Sequence, residues 1–186
     1  MAMKGIVHTT NILGAKPLSF ISGEDLENGF LVMKSDLADG ELQIYNAVKP
    51  AAGNLKERAY AVANPAWAYD TSRPTSQNEE NFINPKGRAF RVYDFSVGNI
   101  MTVTDYSLTG AAEVGKYVVP AADSYKGAVV ATVEMEDYGF VGKIISIQEI
   151  GYFYAVGQAG GASDPVLGTG VDGRVTMVSV EIIKNG

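Results

Sequence analysis

A chain of 186 residues is long enough for one domain, or two small ones, with a hydrophobic core, and the absence of cysteine excludes thiolate catalysis, thiolate metal sites and disulfide scaffolds. The net charge of −6 and the scattered positions of the 15 basic residues argue against a nucleic-acid partner, because phosphate contacts need clustered lysine and arginine. With 46% hydrophobic residues the chain should fold, yet no apolar run approaches the roughly 18–20 residues that span a bilayer, so no membrane partner is predicted.

The first predicted element is an extended N-terminal arm formed by residues 1–22. Glycine, proline and polar residues interrupt it so often that neither a strand period nor a helix period persists, and they also break up any signal-peptide core. The arm is too apolar to lie free in water, and packing on its own domain and packing on a neighbouring subunit are equal alternatives. Its candidate contact residues are Ile6, Val7, Ile12, Leu13 and Phe20. A chain shortened to begin at Gly23 is expected to stay folded and to lose most binding to its partner.

The remaining residues, 23–186, are predicted to form one β-rich domain, with a small subdomain at 23–87 as the alternative organisation. Residues 29–34 are a short apolar run, and residues 40–47 alternate between apolar and polar positions. The residues between these two runs are typical of turns, so the pair predicts a hairpin. A further strand is predicted over 58–63.

The middle of the chain combines one long loop with three short strands. Residues 70–87 are polar and contain two prolines, which predicts a projecting loop. β-type runs follow at 88–93, 100–105 and 118–120, separated by glycine-containing turns.

The last third of the chain carries the strongest strand patterns. Residues 127–135 and 140–150 are strongly β-type, and the second run supplies the best core candidates. A glycine-rich loop is predicted at 160–173, and residues 174–183 form a terminal strand that is apolar on both faces and should therefore be central in its sheet. Because no long amphipathic helix occurs, the predicted fold class is all-β, as a β-barrel or β-sandwich of short strands with long loops.

No segment predicts catalysis, a metal site or a cofactor. Residues 110–116 (GAAEVGK) match the spacing of a phosphate-binding P-loop, but Tyr117 replaces the hydroxyl residue that would hold Mg²⁺, and no helix is predicted after it. His8 is the only histidine, which excludes multi-histidine metal sites. The acidic groups are interpreted as solvated surface, whereas a pair of glycosidase carboxylates leaves no spacing signature and stays open.

Aromatic residues provide an alternative to a purely structural role. Trp67 and Tyr69 follow a strand period, and residues 152–154 are three aromatics in a row. These side chains could line a carbohydrate surface, although core or subunit contact is commoner for consecutive aromatics in a β-rich chain. The alternative function is a β-sandwich module that binds or processes carbohydrate.

From Gly29 onward the chain contains these strand and turn phrases in succession: NGFLVMKS, VANPAWAYD, NEENFINPKGRAFRVYD, VGNIMTVT, VGKYVV, FVGKIISIQEIG and AVGQAG. Together they resemble small structural proteins of tailed bacteriophages, of the head-decoration or auxiliary capsid type. The resemblance implies a non-enzymatic protein without cofactors, which binds the major capsid protein on the outer surface of the capsid and stabilises the lattice. It further implies synthesis in the host cytoplasm, a final position on the virion surface, and self-association into a homo-oligomer as an additional expectation.

Overall fold

The computed structural model describes residues 5–65, 82–150, 153–154, 171–172 and 175–186. Its strands in chain order are β1 (Val7–Asn11), β2 (Lys16–Ile21), β3 (Leu31–Leu37), β4 (Ile44–Val48), β5 (Ala59–Val62), β6 (Ala89–Asp94), β7 (Ile100–Thr104), β8 (Leu108–Thr109), β9 (Tyr117–Pro120), β10 (Gly127–Val130), β11 (Phe140–Ile150), β12 (Phe153–Tyr154), β13 (Val171–Asp172) and β14 (Val175–Asn185). A short 3-10 turn, Asp105–Ser107, lies between β7 and β8. Five strands close into a barrel and seven form an open sheet, so the predicted all-β class is confirmed.

The barrel contains β2, β4, β3, β5 and β6 in that order around its wall. Its strands lie between residues 16 and 94, a range that includes the alternative subdomain at 23–87. The predicted hairpin is confirmed, because β3 and β4 pair antiparallel. One cluster of buried side chains belongs to the barrel strands and the β2–β3 connection: Phe20, Leu26, Val32, Ala47, Tyr60, Val62, Phe90 and Val92.

The open sheet has the order β1–β7–β14–β11–β9–β10–β8. Strand β14 therefore lies between β7 and β11, as predicted for the terminal strand. Val178, Val180 and Ile182 on one face of β14 are buried, and Met177 on its other face is buried as well. A strand that is apolar on both faces is stable where both faces are covered, which explains its central position.

The sheet packs against the barrel wall at β5. Every residue of β5 is buried. Tyr60 and Val62 belong to the barrel cluster, whereas Ala59 and Ala61 belong to the cluster shared with the sheet. Because successive residues of a strand point to opposite faces, both faces of β5 are core. The two alanines keep the sheet-facing side of β5 small, which allows the two layers to approach closely.

Residues 5–22 pack on the chain's own β domain, one of the two alternatives that the sequence left open, and they form two of its strands instead of an arm separate from it. Strand β1 pairs with β7 in the sheet, and β2 pairs with both β6 and β4 in the barrel. Gly14, with a φ of +79°, lies in the turn between them. The breaks in the apolar pattern therefore mark a change of sheet, and each strand is too short to show a period of its own.

The predictions for the last third differ in outcome. The strand at 140–150 is confirmed as β11. Strand β10 ends at Val130, earlier than predicted, and the acidic residues Glu134, Glu136 and Asp137 are exposed beyond its end. Most of the loops predicted at 70–87 and 160–173 lie outside the described residues, as do Trp67, Tyr69 and Tyr152 and the side chains of Phe153 and Tyr154.

Candidate functional site: an interaction platform

Two neighbouring turns present large aliphatic side chains to solvent. The first turn, 12–15, joins β1 to β2 and carries Leu13, which is 87% exposed. The second turn, 95–99, joins β6 to β7 and carries Val97, which is 67% exposed. Both turns cross between the sheet and the barrel. We call residues 12–15 and 95–99 together the platform.

The buried side chain of Asn99 holds the two turns together. Its Nδ2 donates to the carbonyl oxygen of Leu13 at 2.9 Å, and its Oδ1 accepts from the backbone N–H of Ser96 at 2.9 Å. The Ser96 hydroxyl donates to the carbonyl oxygen of Gly14 at 3.3 Å. The backbone N–H of Ile182 donates to the carbonyl oxygen of Asn99 at 2.9 Å, which ties the platform to β14.

The platform backbone is fixed before any partner binds. Gly14 and Gly98 have φ values of +79° and +86°, a conformation that glycine adopts without the steric cost of a side chain. A turn that is already ordered loses little conformational entropy on binding. Full burial of a leucine or valine side chain contributes about 1.5–3 kcal/mol, and this contribution is available to a partner that covers Leu13 and Val97.

The five candidate contact residues lie in three different places. Leu13 is exposed on the platform, and the neighbouring Ile12 packs partly buried against the shared core. Ile6 precedes β1 and Val7 is its first residue, and both side chains are partly buried. Phe20 is fully buried in the barrel cluster, so the expectation that it contacts another chain is corrected. The alternation of β2 directs this side chain away from solvent.

Sequence reasoning missed two residues of the platform, Val97 and Asn99. Val97 stands in the sequence SVGN, where a large aliphatic side chain is surrounded by turn-forming residues. An aliphatic residue at the tip of a turn has no neighbours in its own turn to bury it, and this was the available signal. The Ser96–Asn99 hydrogen bond is local to the turn, but nothing local indicates the contact of Asn99 with Leu13, because Leu13 lies 86 residues away in the sequence.

A row of aromatic and lysine side chains joins the barrel to the sheet at a second place. Phe30 stacks with Tyr106 and Tyr125 at ring-centroid distances of 6.4 and 6.2 Å. The Lys126 Nζ lies 3.9 Å from the centroid of the Tyr106 ring, and the Lys49 Nζ lies 4.9 Å from that of Tyr125. These rings are engaged with one another and with lysines inside the fold. The row therefore connects the two halves, which is a structural role.

The hydroxyl groups of this row stay protonated at neutral pH. Burial raises the pKa of Tyr106, and the charge of Glu27, whose Oε1 accepts a 3.4 Å hydrogen bond from the Tyr106 hydroxyl, raises it further. Burial likewise raises the pKa of Tyr125, to which the charge of Glu24 adds. Neither phenol is a candidate base or nucleophile at pH 7.

The P-loop-like segment and the acidic residues form ion pairs and hydrogen bonds within the fold. The P-loop-like residues 110–116 lead directly into β9, and the Lys116 Nζ lies 2.8 Å from the Oε1 of Glu113. The Oε2 of Glu27 accepts from the backbone N–H of Gly5 at 2.9 Å, and the Glu24 carboxylate lies 3.4 Å from the Lys49 Nζ. Within the described ranges, no three histidine, aspartate or glutamate side chains gather as a metal-binding group.

Comparison of the chain with models of protein families, with curated proteins and with solved structures gave no match. In the part of the chain that the structure describes, no helix has the length and apolar character needed to cross a membrane.

Proposed function

We propose that this chain is a non-enzymatic structural protein of a tailed-phage virion that binds the outer surface of the capsid and stabilises it. The observation that carries the proposal is the platform, where Leu13 and Val97 stand exposed on a hydrogen-bonded backbone. The resemblance of the strand and turn phrases to head-decoration proteins supports the same function.

The platform suits a partner that is itself rigid. A capsid lattice presents a fixed surface, and two ordered surfaces lose less conformational entropy on contact than two flexible ones. Large aliphatic side chains at the centre of such a contact exclude water, and polar groups such as Ser96 lie around them.

In this proposal the partner is the major capsid protein, with self-association into a homo-oligomer on the lattice as a second contact. The chain is made in the host cytoplasm and reaches its final position on the capsid surface. No cofactor, nucleic acid or membrane takes part.

Two measurements test the proposal. Mass spectrometry of purified virions against soluble lysate asks whether the chain is a particle component, and we expect it to be enriched in the virion fraction. The second measurement is co-sedimentation of purified protein with heads of the phage that encodes it, comparing the double variant Leu13→Asp with Val97→Asp against the single variant Leu42→Asp.

Leu42 is a matched control, because it is 89% exposed but lies on the β3–β4 connection. We expect the platform variant to bind heads at least about 10-fold more weakly, which corresponds to about 1.4 kcal/mol, and to melt like the wild type. The Leu42 variant should bind normally. Equal binding by all three proteins would remove the platform from the proposal, and absence of the chain from virions would overturn the function itself.

A further inference from the structure

We infer that the outer edge of β1 accepts an extended, uncharged segment of the capsid partner as an added β-strand. This inference rests on the proposed function and names a second contact beyond the platform. It assigns the partner segment by its chemistry, which is a main chain in extended conformation.

The hydrogen bonds of β1 show which backbone groups face outward. Thr104 is opposite Ile6, and its backbone N–H donates to the carbonyl oxygen of Ile6 at 3.2 Å. The register continues with Val7 opposite Val103, His8 opposite Thr102 and Thr9 opposite Met101. In an antiparallel pair, residues that bond to the partner strand alternate with residues that do not. The N–H and C=O groups of Val7 and Thr9 therefore point away from β7.

A groove of about 190 Å³ lies along this outer edge. One wall contains Ile6, Val7 and Thr9 of the β1 segment, and the other contains Ala63, Asn64 and Pro65, which follow β5. The volume suits a short length of single extended chain. The partner segment that we infer is therefore a short, free stretch of extended chain.

The charge of the groove selects the kind of segment. No charged side chain occurs among the described lining residues, and residues 5–15 contain no lysine, arginine, aspartate or glutamate. Exposed edge strands of sheets usually carry charges or proline, or are very short, which prevents pairing with other chains. The opposite edge of the sheet, β8, has only two residues. Strand β1 has five, with one irregularity between Thr9 and Asn11, and no second strand pairs with it among the strands that the structure describes.

The wall opposite β1 is held in place by side-chain hydrogen bonds. The Nδ2 of Asn28 donates to the carbonyl oxygen of Asn64 at 2.8 Å, and the backbone N–H of Asn64 donates to the Oδ1 of Asn28 at 3.0 Å. The Oδ1 of Asn64 then accepts from the backbone N–H of Arg91 at 3.3 Å. The wall at Asn64 is therefore tied to the fold by three hydrogen bonds before a segment enters.

Amide hydrogen exchange, read residue by residue, tests this assignment. The free protein and the protein bound to phage heads are exchanged for the same times, quenched, dissolved in an aprotic solvent and measured by NMR. In the free protein we expect fast exchange at Val7 and Thr9 and slow exchange at His8, whose amide faces β7. On heads, exchange at Val7 and Thr9 should slow by at least about 10-fold, as for newly paired amides.

The outcomes separate the two proposals. Protection of Val7 and Thr9 in the free protein would overturn the inference, because the chain itself would then cover the edge. Binding to heads without new protection would overturn the inference and leave the proposed function intact. Failure to bind heads would overturn both.

A substitution gives an independent readout. Thr9→Pro removes an outward N–H, and Thr9→Lys places a charge in the uncharged groove. Each should retain the thermal melt of the wild type within a few degrees and bind heads at least about 10-fold more weakly. His8→Pro is the opposed control, since it removes an N–H that faces β7 and should lower the melting temperature. If both Thr9 variants fold and bind heads normally, the inference is wrong.

Discussion

The barrel and the sheet differ in how their outermost strands are treated. Each barrel strand has a neighbour on both sides, so the wall has no free edge. The sheet is open among the strands that the structure describes, and it ends there at β1 and β8. A closed barrel gives rigidity and few contact opportunities, whereas an open sheet leaves backbone groups to be paired. The barrel supports the fold, whereas both of the contacts that we propose with other chains lie on the sheet edge and on the turns that join the sheet to the barrel.

The largest expected effect comes from removing the segment that joins both halves. A chain that begins at Gly23 lacks β1 and β2, and the loss of β2 leaves β6 and β4 without a shared neighbour. We expect this shortened chain to lose its cooperative thermal transition by circular dichroism. The sequence alone suggested the opposite result. A sharp melt close to that of the full chain would show that the barrel does not need β2.

The second prediction contrasts two apolar residues of the same segment. Phe20→Ala should destabilise the protein by about 3–5 kcal/mol, because it leaves a cavity in the barrel cluster. Leu13→Ala, on the exposed platform, should change stability by less than about 0.5 kcal/mol. Urea unfolding monitored by tryptophan fluorescence measures both. Similar effects for the two variants would contradict the assignment of Phe20 to the core.

The third prediction tests the hydrogen bonds between Asn28 and Asn64. Asn28→Ala leaves the backbone N–H and C=O of Asn64 without their partner and should cost about 1–3 kcal/mol. Asn46→Ala is the matched control, because the half-buried Asn46 makes a single solvent-exposed 3.3 Å bond to the Leu37 carbonyl, so its removal should cost almost nothing. Chemical denaturation of the two variants side by side gives the comparison. An Asn28 variant as stable as the control would mean that water replaces the lost bonds.

The smallest expected effect is a pH dependence at β5. Burial raises the pKa of Tyr60, the charge of Asp94 raises it further, and Arg58 acts in the opposite direction. Since the pKa in the folded state lies above the unfolded value near 10.0, the stabilising contribution is complete below that value and is lost as the pH rises from it through the higher pKa of the folded state. Thermal melts between pH 7 and pH 11, in steps of about one unit, should show a smaller alkaline decline for Tyr60→Phe than for the wild type. Parallel declines would exclude Tyr60 as a contributor.

Strand patterns were readable from the sequence where a strand is long or buried on both faces. The strands at residues 140–150 and around Val178 and Val180 were located correctly, because the spacing of apolar residues within each strand is visible in the local sequence. The segment that contains Phe20 was predicted as a separate arm, whereas it forms one strand of the sheet and one strand of the barrel. Its two strands are interrupted by Gly14, and no local pattern indicates that they belong to different sheets.

The candidate site was only partly predictable. Leu13 was identified because it is apolar in a segment without a regular period. Val97 and Asn99 come from a turn that meets Leu13 only in the folded protein, through the hydrogen bond of Asn99 to the Leu13 carbonyl. The groove beside β1 depends in the same way on Asn64, which is distant in sequence and is positioned by Asn28. Contacts between distant segments carry no signature in one sequence.

The central position of β14 has a consequence for the order in which the protein is built. The barrel strands form one continuous stretch of chain, residues 16–94, so they can associate as soon as that stretch has left the ribosome. The sheet cannot be completed at that stage, because β14 is the last described strand to be synthesised and lies between β7 and β11. Until β14 emerges, β7 can pair only with β1, and one side of β11 remains unpaired. The nascent chain therefore passes through a stage in which a folded barrel carries unpaired strand edges, and this stage is where chaperone binding and aggregation compete with completion of the fold.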